Sequence, residues 1–151
     1  MTTRTENVST VIAQLLPHRT ARLNRLLWRH SDGALTRTEA GVLSTLSDGP
    51  RRVTELADLE GLAQPTITVL VGKMESAGLV RRERDQSDGR AVLVTITEAG
   101  RVALERLRAQ YREVLHDRMA SMSDEEVAAL RAATDALGAL VEALQHGRTE
   151  N

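Results

Sequence analysis

The hydrophobic pattern of residues 64–97 changes its period halfway, and this change constrains the fold more than any other feature of the chain. The first half repeats apolar residues at helical spacing, in Ile67, Leu70, Val71 and Met74. The second half alternates apolar and polar residues as strands do, around Leu79-Val80 and then at Val92, Val94 and Ile96. Asp88-Gly89, in the charged segment between the strands, is a hairpin-turn signal. The pattern therefore predicts a helix that runs directly into a charged β-hairpin.

Start and stop signals place three short helices before that hairpin. Thr36-Arg37-Thr38-Glu39 is a capping box for one helix, which Asp48-Gly49-Pro50 ends. Thr54 is predicted to cap a short third helix, and Glu60-Gly61 supplies the turn after it. Gln64-Pro65 opens the next helix, which Ala77-Gly78 stops. Two short helices joined by a glycine turn and followed by a hairpin predict a winged helix-turn-helix, a fold that binds DNA.

Composition indicates one domain over residues 1–151 and excludes several kinds of site. The chain has no cysteine, which excludes disulfides, thiolate zinc sites and cysteine redox sensing. Its four histidines are scattered, so we expect neither a metal nor a cofactor. No apolar run approaches the roughly 18 residues that span a bilayer, and the N-terminus lacks the apolar core of a secretory signal. We therefore expect a cytoplasmic protein with no membrane partner.

The charge of the chain is nearly balanced but unevenly distributed. A net charge of −1 by itself argues against a nucleic-acid partner. Residues 81–90 nevertheless hold four arginines and three acids, whereas residues 121–151 hold two arginines and six acids. A charged run of this kind is usually a solvated face; here the helix before it favours DNA contact.

The first and last helical segments have the pattern of helices that pair. The first, residues 8–30, carries an apolar stripe that includes Val11 and Leu15, and Pro17 inside it predicts a kink rather than two helices. Residues 98–146 hold two helices, begun by Thr97 and by the capping box Ser123-Asp124-Glu125-Glu126. The last repeats apolar positions every 3.5 residues, through Val127, Leu130, Thr134, Leu137, Val141 and Leu144. An intrachain core helix is the alternative, but a homodimer better covers helices that extend past a compact module. Gly147 to Asn151 are expected to fray.

Residues 36–97 form the predicted DNA-binding part, and its fourth helix is the predicted reading element. With its apolar stripe inward, the outward face holds Thr66, Thr68, Val69, Gly72, Lys73 and Ser76. Such a small, hydroxyl-rich face fits a major groove, where Val69 can contact a thymine methyl group and Lys73 a phosphate. Gln64 either reads adenine or caps the helix.

The hairpin supplies arginines for the DNA backbone and the minor groove. Arg90 follows the turn, where Asp88 is expected to orient its guanidinium toward the narrow minor groove. Arg82 and Arg84 are favoured for backbone contact, with Arg81 or Arg84 paired to acids as the alternative. Arg51 and Arg52, before the third helix, are phosphate candidates or plain surface charge.

From about residue 8 to residue 146 the chain resembles the MarR family of bacterial transcription regulators. The match is most specific in VTELADLEGLAQPTITVLVGKMESAGLVRRERDQSDGRAVLVTITEAG, where Asp85-x-x-Asp88-x-Arg90 looks like the wing signature of that family. The resemblance implies a homodimeric repressor whose first and last helices intertwine and whose fourth helix and wing grip a pseudo-palindromic operator of double-stranded DNA. Members often carry Arg where this chain has Val69, so a guanine contact there is not implied. The absence of cysteine excludes the branch that senses peroxides through a thiol.

The resemblance also implies a small-molecule effector, because many members release DNA when an aromatic or anionic ligand binds between their dimerisation and DNA-binding parts. The polar and aromatic candidates on the first helix are His18, Arg22, Trp28 and His30. Core packing of Trp28 and solvent exposure of the other three is the simpler interpretation.

Three other classes of protein compete with a DNA-binding regulator. An enzyme is disfavoured, because the chain has no Ser/His/Asp constellation, phosphate-binding glycine loop or metal-spaced cluster. A winged helix that binds protein would keep the fold without salt-dependent DNA binding. A metal-sensing repressor is weakened by the absence of cysteine.

Overall fold

The computed structural model describes residues 2–146, with side chains for residues 7–145, so the predicted fraying of residues 147–151 lies outside it. Four helices, a hairpin and two helices follow one another as predicted, with one short extra strand. The elements are α1 (Thr2–Trp28), α2 (Arg37–Ser47), β1 (Arg51–Arg52), α3 (Val53–Glu60), α4 (Gln64–Ser76), β2 (Val80–Arg84), β3 (Val92–Ile96), α5 (Glu98–Met119) and α6 (Asp124–His146).

Side-chain caps begin three helices where the sequence placed them. Thr36 and Glu39 form the predicted capping box of α2, with N···O distances of 2.7 and 3.2 Å. Ser123 and Glu126 form the second box, at the start of α6. The Thr97 hydroxyl accepts the Gly100 amide at 3.1 Å and so caps α5. Each cap satisfies amides that the first helical turn leaves unpaired.

The start of α3 differs from its prediction, and the Thr54 cap is wrong. The N-cap residue is Arg52, and the Glu55 carboxylate reaches back to accept its amide at 2.7 Å. Thr54 therefore lies within the first turn. Helix α4 also begins one residue earlier than proline at the first position would require, because Gln64 is its first residue and Pro65 its second.

Helix α1 is one helix, Thr2–Trp28, with Pro17 inside it, so a single helix forms as predicted but with other bounds than the predicted 8–30, and the kink at Pro17 stays a prediction. Helix α4 is terminated at Gly78, whose φ is +74°. The amides of Gly78 and Leu79 donate to the carbonyls of Glu75 and Met74, which is the Schellman motif. This turn reverses the chain, so that β2 returns alongside the end of α4.

A three-stranded antiparallel sheet with the order β1-β3-β2 forms the wing and its base. Val80 pairs with Ile96 and Arg84 with Val92, so β2 and β3 are in register over their whole length. The two residues of β1 pair with Val94 and Leu93, which places the start of α3 beside the hairpin. This strand is too short to leave an alternating pattern in the sequence.

Two compact units divide the chain, Met1–Tyr111 and Arg112–Asn151. The core belongs to the first unit and joins α2, α3, α4, the sheet and the start of α5. Its fully buried side chains include Val42, Leu43, Leu46, Leu56, Ile67, Val71, Met74, Val80 and Val94. In the second unit, no residue between 112 and 145 is buried. The reading elements therefore sit on a packed core of their own.

Candidate nucleic-acid interface

Helix α4 presents the outward face that the sequence predicted. Ile67, Val71 and Met74 are fully buried, and Leu70 packs partly against the same core. On the opposite side Thr66, Thr68, Lys73 and Ser76 are exposed, and Val69 is 60% exposed. Most side chains of this face are short, so it is a surface that can approach base edges closely.

Two hydroxyls on this face are turned toward the helix backbone. Thr68 Oγ1 donates to the Gln64 carbonyl at 2.9 Å, and Ser76 Oγ donates to the Gly72 carbonyl at 3.0 Å. A hydroxyl that has donated its proton keeps its lone pairs and can still accept a hydrogen bond. In this conformation Thr68 can accept from the amino group of adenine or cytosine.

Gln64 lies at the first position of α4. It was predicted either to read adenine or to cap the helix, and the structure bears on the second alternative. The N-cap residue is Ala63, and no side chain caps the helix there. Gln64 is exposed and lines a groove between α4 and the wing. Its amide is therefore available to a ligand in that groove.

The wing loop, residues 85–91, is organised around the Asp85 carboxylate. Ser87 donates to it through its amide at 2.9 Å and its hydroxyl at 2.6 Å, and Arg52 Nη2 donates at 2.9 Å. The Asp85 side chain is only 11% exposed. These donors, Ser87 first and then Arg52, hold the pKa of the Asp85 carboxyl far below its usual value. Arg52 thereby connects the start of α3 to the wing.

The predicted contact between Asp88 and the Arg90 guanidinium is wrong. Asp88 accepts the backbone amide of Arg90 at 3.2 Å, and its other oxygen lies 3.7 Å from Arg52 Nη2. The Asp88 carbonyl closes the turn by accepting the Ala91 amide at 2.8 Å. Asp88 therefore fixes the backbone of the turn, and the exposed Arg90 side chain extends without it. Because the Asp88 side chain is short, its carboxylate accepts a backbone amide two residues away and does not contact the Arg90 guanidinium.

Two wing-strand arginines are paired with carboxylates. Arg82 Nε and Nη2 both donate to Glu75 Oε2 at 2.8 Å, and the Arg82 amide donates to Glu75 Oε1 at 3.1 Å. These bonds lower the pKa of the Glu75 carboxyl. On the other side of β2, Arg81 pairs with Glu83 at 2.7 Å, as one predicted alternative had it. Within residues 7–145 we find no ion pair of Arg84, Arg90 or Lys73.

A groove of about 440 Å³ separates α4 from the wing. Its lining combines three arginines with the start of α3 and the start of α4: Arg52, Val53, Thr54, Gln64, Thr68, Arg82, Arg90, Ala91 and Val92. The sequence predicted most of the polar members of this set. It missed Glu75 and the link from Arg52 to Asp85, because both pair residues across the Gly78 turn or across the sheet.

The four candidates for a small-molecule site do not gather around one cavity. Trp28 packs partly against the core, with the Arg37 guanidinium 5.5 Å from its ring centroid. His18, Arg22 and His30 are exposed. A separate groove of about 390 Å³ is lined by other residues of the first unit, among them Leu35, Val102, Arg106 and Leu107. The Asp32 carboxylate at its edge pairs with Arg106 at 2.8 Å.

The predicted dimerisation residues are largely exposed in the single chain. On α1, Val11 is 45% and Leu15 is 42% exposed. On α6, Leu130, Val141 and Leu144 are exposed by 44%, 51% and 65%, and Leu137 is half-buried. No seam residue of α6 is therefore among the buried side chains of the described residues.

Comparisons with known proteins agree with the fold. The model of the MarR family matches residues 35–91, from the end of the first loop to the wing tip. The chain is 31% identical over 123 residues to the HTH-type transcriptional regulator Mb0904 of Mycobacterium bovis, covering 80% of this chain and 86% of that protein.

Solved structures give the same result at the level of the fold. A MarR family protein from Bacillus stearothermophilus is 27% identical, with a TM-score of 0.74, and covers 91% of this chain and 97% of its own. A probable transcriptional regulator from Pseudomonas aeruginosa is 31% identical, with a TM-score of 0.59, over 83% and 96% of the two chains.

Among the described residues, no helix is both long and apolar enough to cross a bilayer.

A helix-turn-helix with an exposed second helix and an arginine-bearing hairpin defines a winged-helix DNA-binding protein. The chain belongs to the MarR family of transcriptional regulators. It is a DNA-binding regulator and not an enzyme.

Proposed function

We propose that the protein acts in the cytoplasm as a repressor that binds a pseudo-palindromic operator as a homodimer. The observation that carries this proposal is the groove between α4 and the wing. Its lining brings together Gln64 and Thr68 of the exposed reading face and the exposed Arg90 of the wing. In this arrangement α4 enters a major groove while the wing follows the adjacent minor groove.

Each candidate residue has a role in that complex. Gln64, Thr66, Thr68 and Val69 face base edges, and Lys73 and Arg84 face phosphates. Arg90 enters the minor groove, where a planar cation is favoured by the strongly negative potential. Asp88 and Arg82 act through the protein, because Asp88 holds the turn and Arg82 is engaged by Glu75.

The exposed seam of α6 and the stripe of α1 support a two-fold dimer. Burying one such Leu or Val side chain fully contributes about 1.5–3 kcal/mol, and the two helices together expose many of them. A dimer places two recognition helices about 34–36 Å apart, which is one helical repeat of DNA. Single subunits would lack that fixed spacing and would read only half of the operator.

A small-molecule effector is the remaining part of the proposal, and it rests on resemblance to the family. A ligand that binds better to subunits whose reading helices are out of register would lower the population that fits the operator. His18, Arg22, Trp28 and His30 stay the candidates for such a site.

Selection of bound duplexes from a random-sequence pool tests the proposal directly. We expect the enriched sequences to contain two inverted half-sites whose centres are about 10 base pairs apart or a multiple of that spacing. Affinity for the enriched duplex should fall steeply with salt, because several phosphates are neutralised. Enrichment of no sequence, with binding that is absent even at low salt, would overturn the proposal.

A winged-helix module that binds protein is the second candidate. The net charge of −1 and the pairing of Arg52, Arg81 and Arg82 with carboxylates favour it, since they reduce the free positive charge of the wing. The same selection experiment separates the two functions, because this alternative predicts no salt-dependent binding of duplex DNA.

A further inference from the structure

Glu75 lies at the end of the recognition helix and makes three bonds to one residue of the wing. Its two carboxylate oxygens accept the Arg82 amide, Nε and Nη2, at 2.8–3.1 Å. Surface ion pairs are usually weak, but here one Glu75 oxygen accepts two guanidinium nitrogens and the other accepts the backbone amide of the same residue, which restricts the geometry of the pair. Both side chains are still more than a third exposed, so solvent and DNA can reach them.

The pair also lies beside the reading face of α4. A methyl group added at Gly72, on the reading face of α4, would lie 3.7 Å from Arg82 Nη2, so the guanidinium lies against that face. Arg82 also lines the groove between α4 and the wing. In that position an unpaired guanidinium would meet a phosphate.

We propose that Glu75 is a positioning residue that competes with DNA phosphate for Arg82 and thereby limits the sequence-independent affinity of the protein. This inference rests on the proposed function as a DNA-binding dimer. Glu75 holds strand β2 against the end of α4, and the same bonds neutralise one cation of the interface. Arg84 and Lys73 remain to contact DNA phosphates and Arg90 the minor groove; we find no ion pair of these three residues within residues 7–145.

Glu83 supplies a matched control for Glu75. It is one strand position from Arg82 and pairs with Arg81 at 2.7 Å, but residues 81 and 83 lie on the opposite face of β2 from residue 82. Glu75→Gln and Glu83→Gln change the net charge of the protein equally. A difference between them therefore reports the position of the carboxylate and not the total charge.

The experiment measures binding of each variant to a labelled mixed-sequence duplex at several salt concentrations. If Arg82 is released to one phosphate, Glu75→Gln should steepen the slope of log affinity against log salt by about 0.9. Between about 50 and 200 mM salt, its affinity should then fall about 3-fold more than that of the wild type. Glu83→Gln should keep the wild-type slope. The side-chain carbonyl introduced by Glu75→Gln can still accept the Arg82 amide, so the fold and the hairpin are retained, and a thermal melt checks this.

The double variant Glu75→Gln/Arg82→Gln makes the test decisive. If Glu75 neutralises Arg82 in the wild type, removing both charges should restore the wild-type slope. A double variant that is shallower than the wild type by about 0.9 would show that Arg82 already contacts phosphate, and the inference would be wrong. Equal slopes for Glu75→Gln and Glu83→Gln would also overturn it. Failure of the wild type itself to bind any duplex would instead reject the proposed function.

Discussion

Arg90 is the wing side chain to which the proposed function assigns the minor-groove contact; it is exposed, and the Asp88 carboxylate accepts its backbone amide rather than its guanidinium. We expect Arg90→Ala to weaken operator binding by about 1–3 kcal/mol, since a groove contact of this kind contributes to base discrimination. Binding to the enriched duplex, measured by fluorescence anisotropy, checks this. Unchanged affinity in a folded variant would contradict the role given to Arg90.

The stability of the folded protein should depend on pH through the Asp85 carboxyl in the wing loop. Its pKa in the folded protein lies below its value in the unfolded chain, because Ser87 and Arg52 donate to the carboxylate. The stabilisation is therefore fully present above about pH 5 and is lost as the pH falls. We expect Asp85→Asn to lower the melting temperature at neutral pH, and the gap from the wild type to narrow in acid. Melts at a series of pH values measure the gap, and a gap that stays constant would contradict this account.

At the scale of elements, the start of α5 packs tightly against the turn before β2 at Gly100. A methyl group at Gly100 would collide with the Leu79 carbonyl oxygen and with Ile96 Cγ1, which belong to a backbone turn and to the core. Gly100→Ala should destabilise the protein by about 1–3 kcal/mol, because the backbone has to move. Chemical denaturation measures this.

Gly72→Ala is the control, since its methyl group would make only ordinary contact with Arg82 and would improve helix propensity. We expect it to be neutral or slightly stabilising. Equal destabilisation by both substitutions would mean that the Gly100 contact is not the cause.

Local signals predicted the elements well and the contacts between them less well. The capping boxes at Thr36 and Ser123, the Gly78 stop and the periodicity of α4 depend on residues within one turn of each other, so the sequence contains them. Strand β1, the Arg52 cap and the pair of Glu75 with Arg82 depend on residues that the fold brings together. Thr54 failed as a cap because Glu55 could reach the Arg52 amide.

At the scale of the whole molecule, the exposed apolar seam of α6 predicts a dimer. A charged residue placed in this seam should dissociate the dimer into monomers. Val141 is 51% exposed in the single chain, so Val141→Glu should leave the subunit folded while it places a carboxylate in the interface. We expect sedimentation to show a dimer for the wild type and monomers for the variant. Ala139 lies on the opposite face of α6 and is exposed, so Ala139→Glu should remain dimeric. Dimers of Val141→Glu would exclude this part of the seam from the interface.

The limits of sequence-based prediction are clearest at this scale. The 3.5-residue repeat from Val127 to Leu144 indicates that α6 pairs with another helix, but it does not identify the partner helix. For the same reason the ligand candidates on α1 could be named but not gathered into a cavity. A pocket depends on side chains from several elements, and periodicity along one helix does not contain that arrangement.

The side chains that are buried among the described residues all lie between Leu35 and Leu107. Protein synthesis therefore finishes this core before the ribosome has made α6. Domains fold as units during translation, beginning at the N-terminal side. We expect the DNA-binding part to fold on the nascent chain. Association of two subunits should follow as a separate, later step that depends on protein concentration.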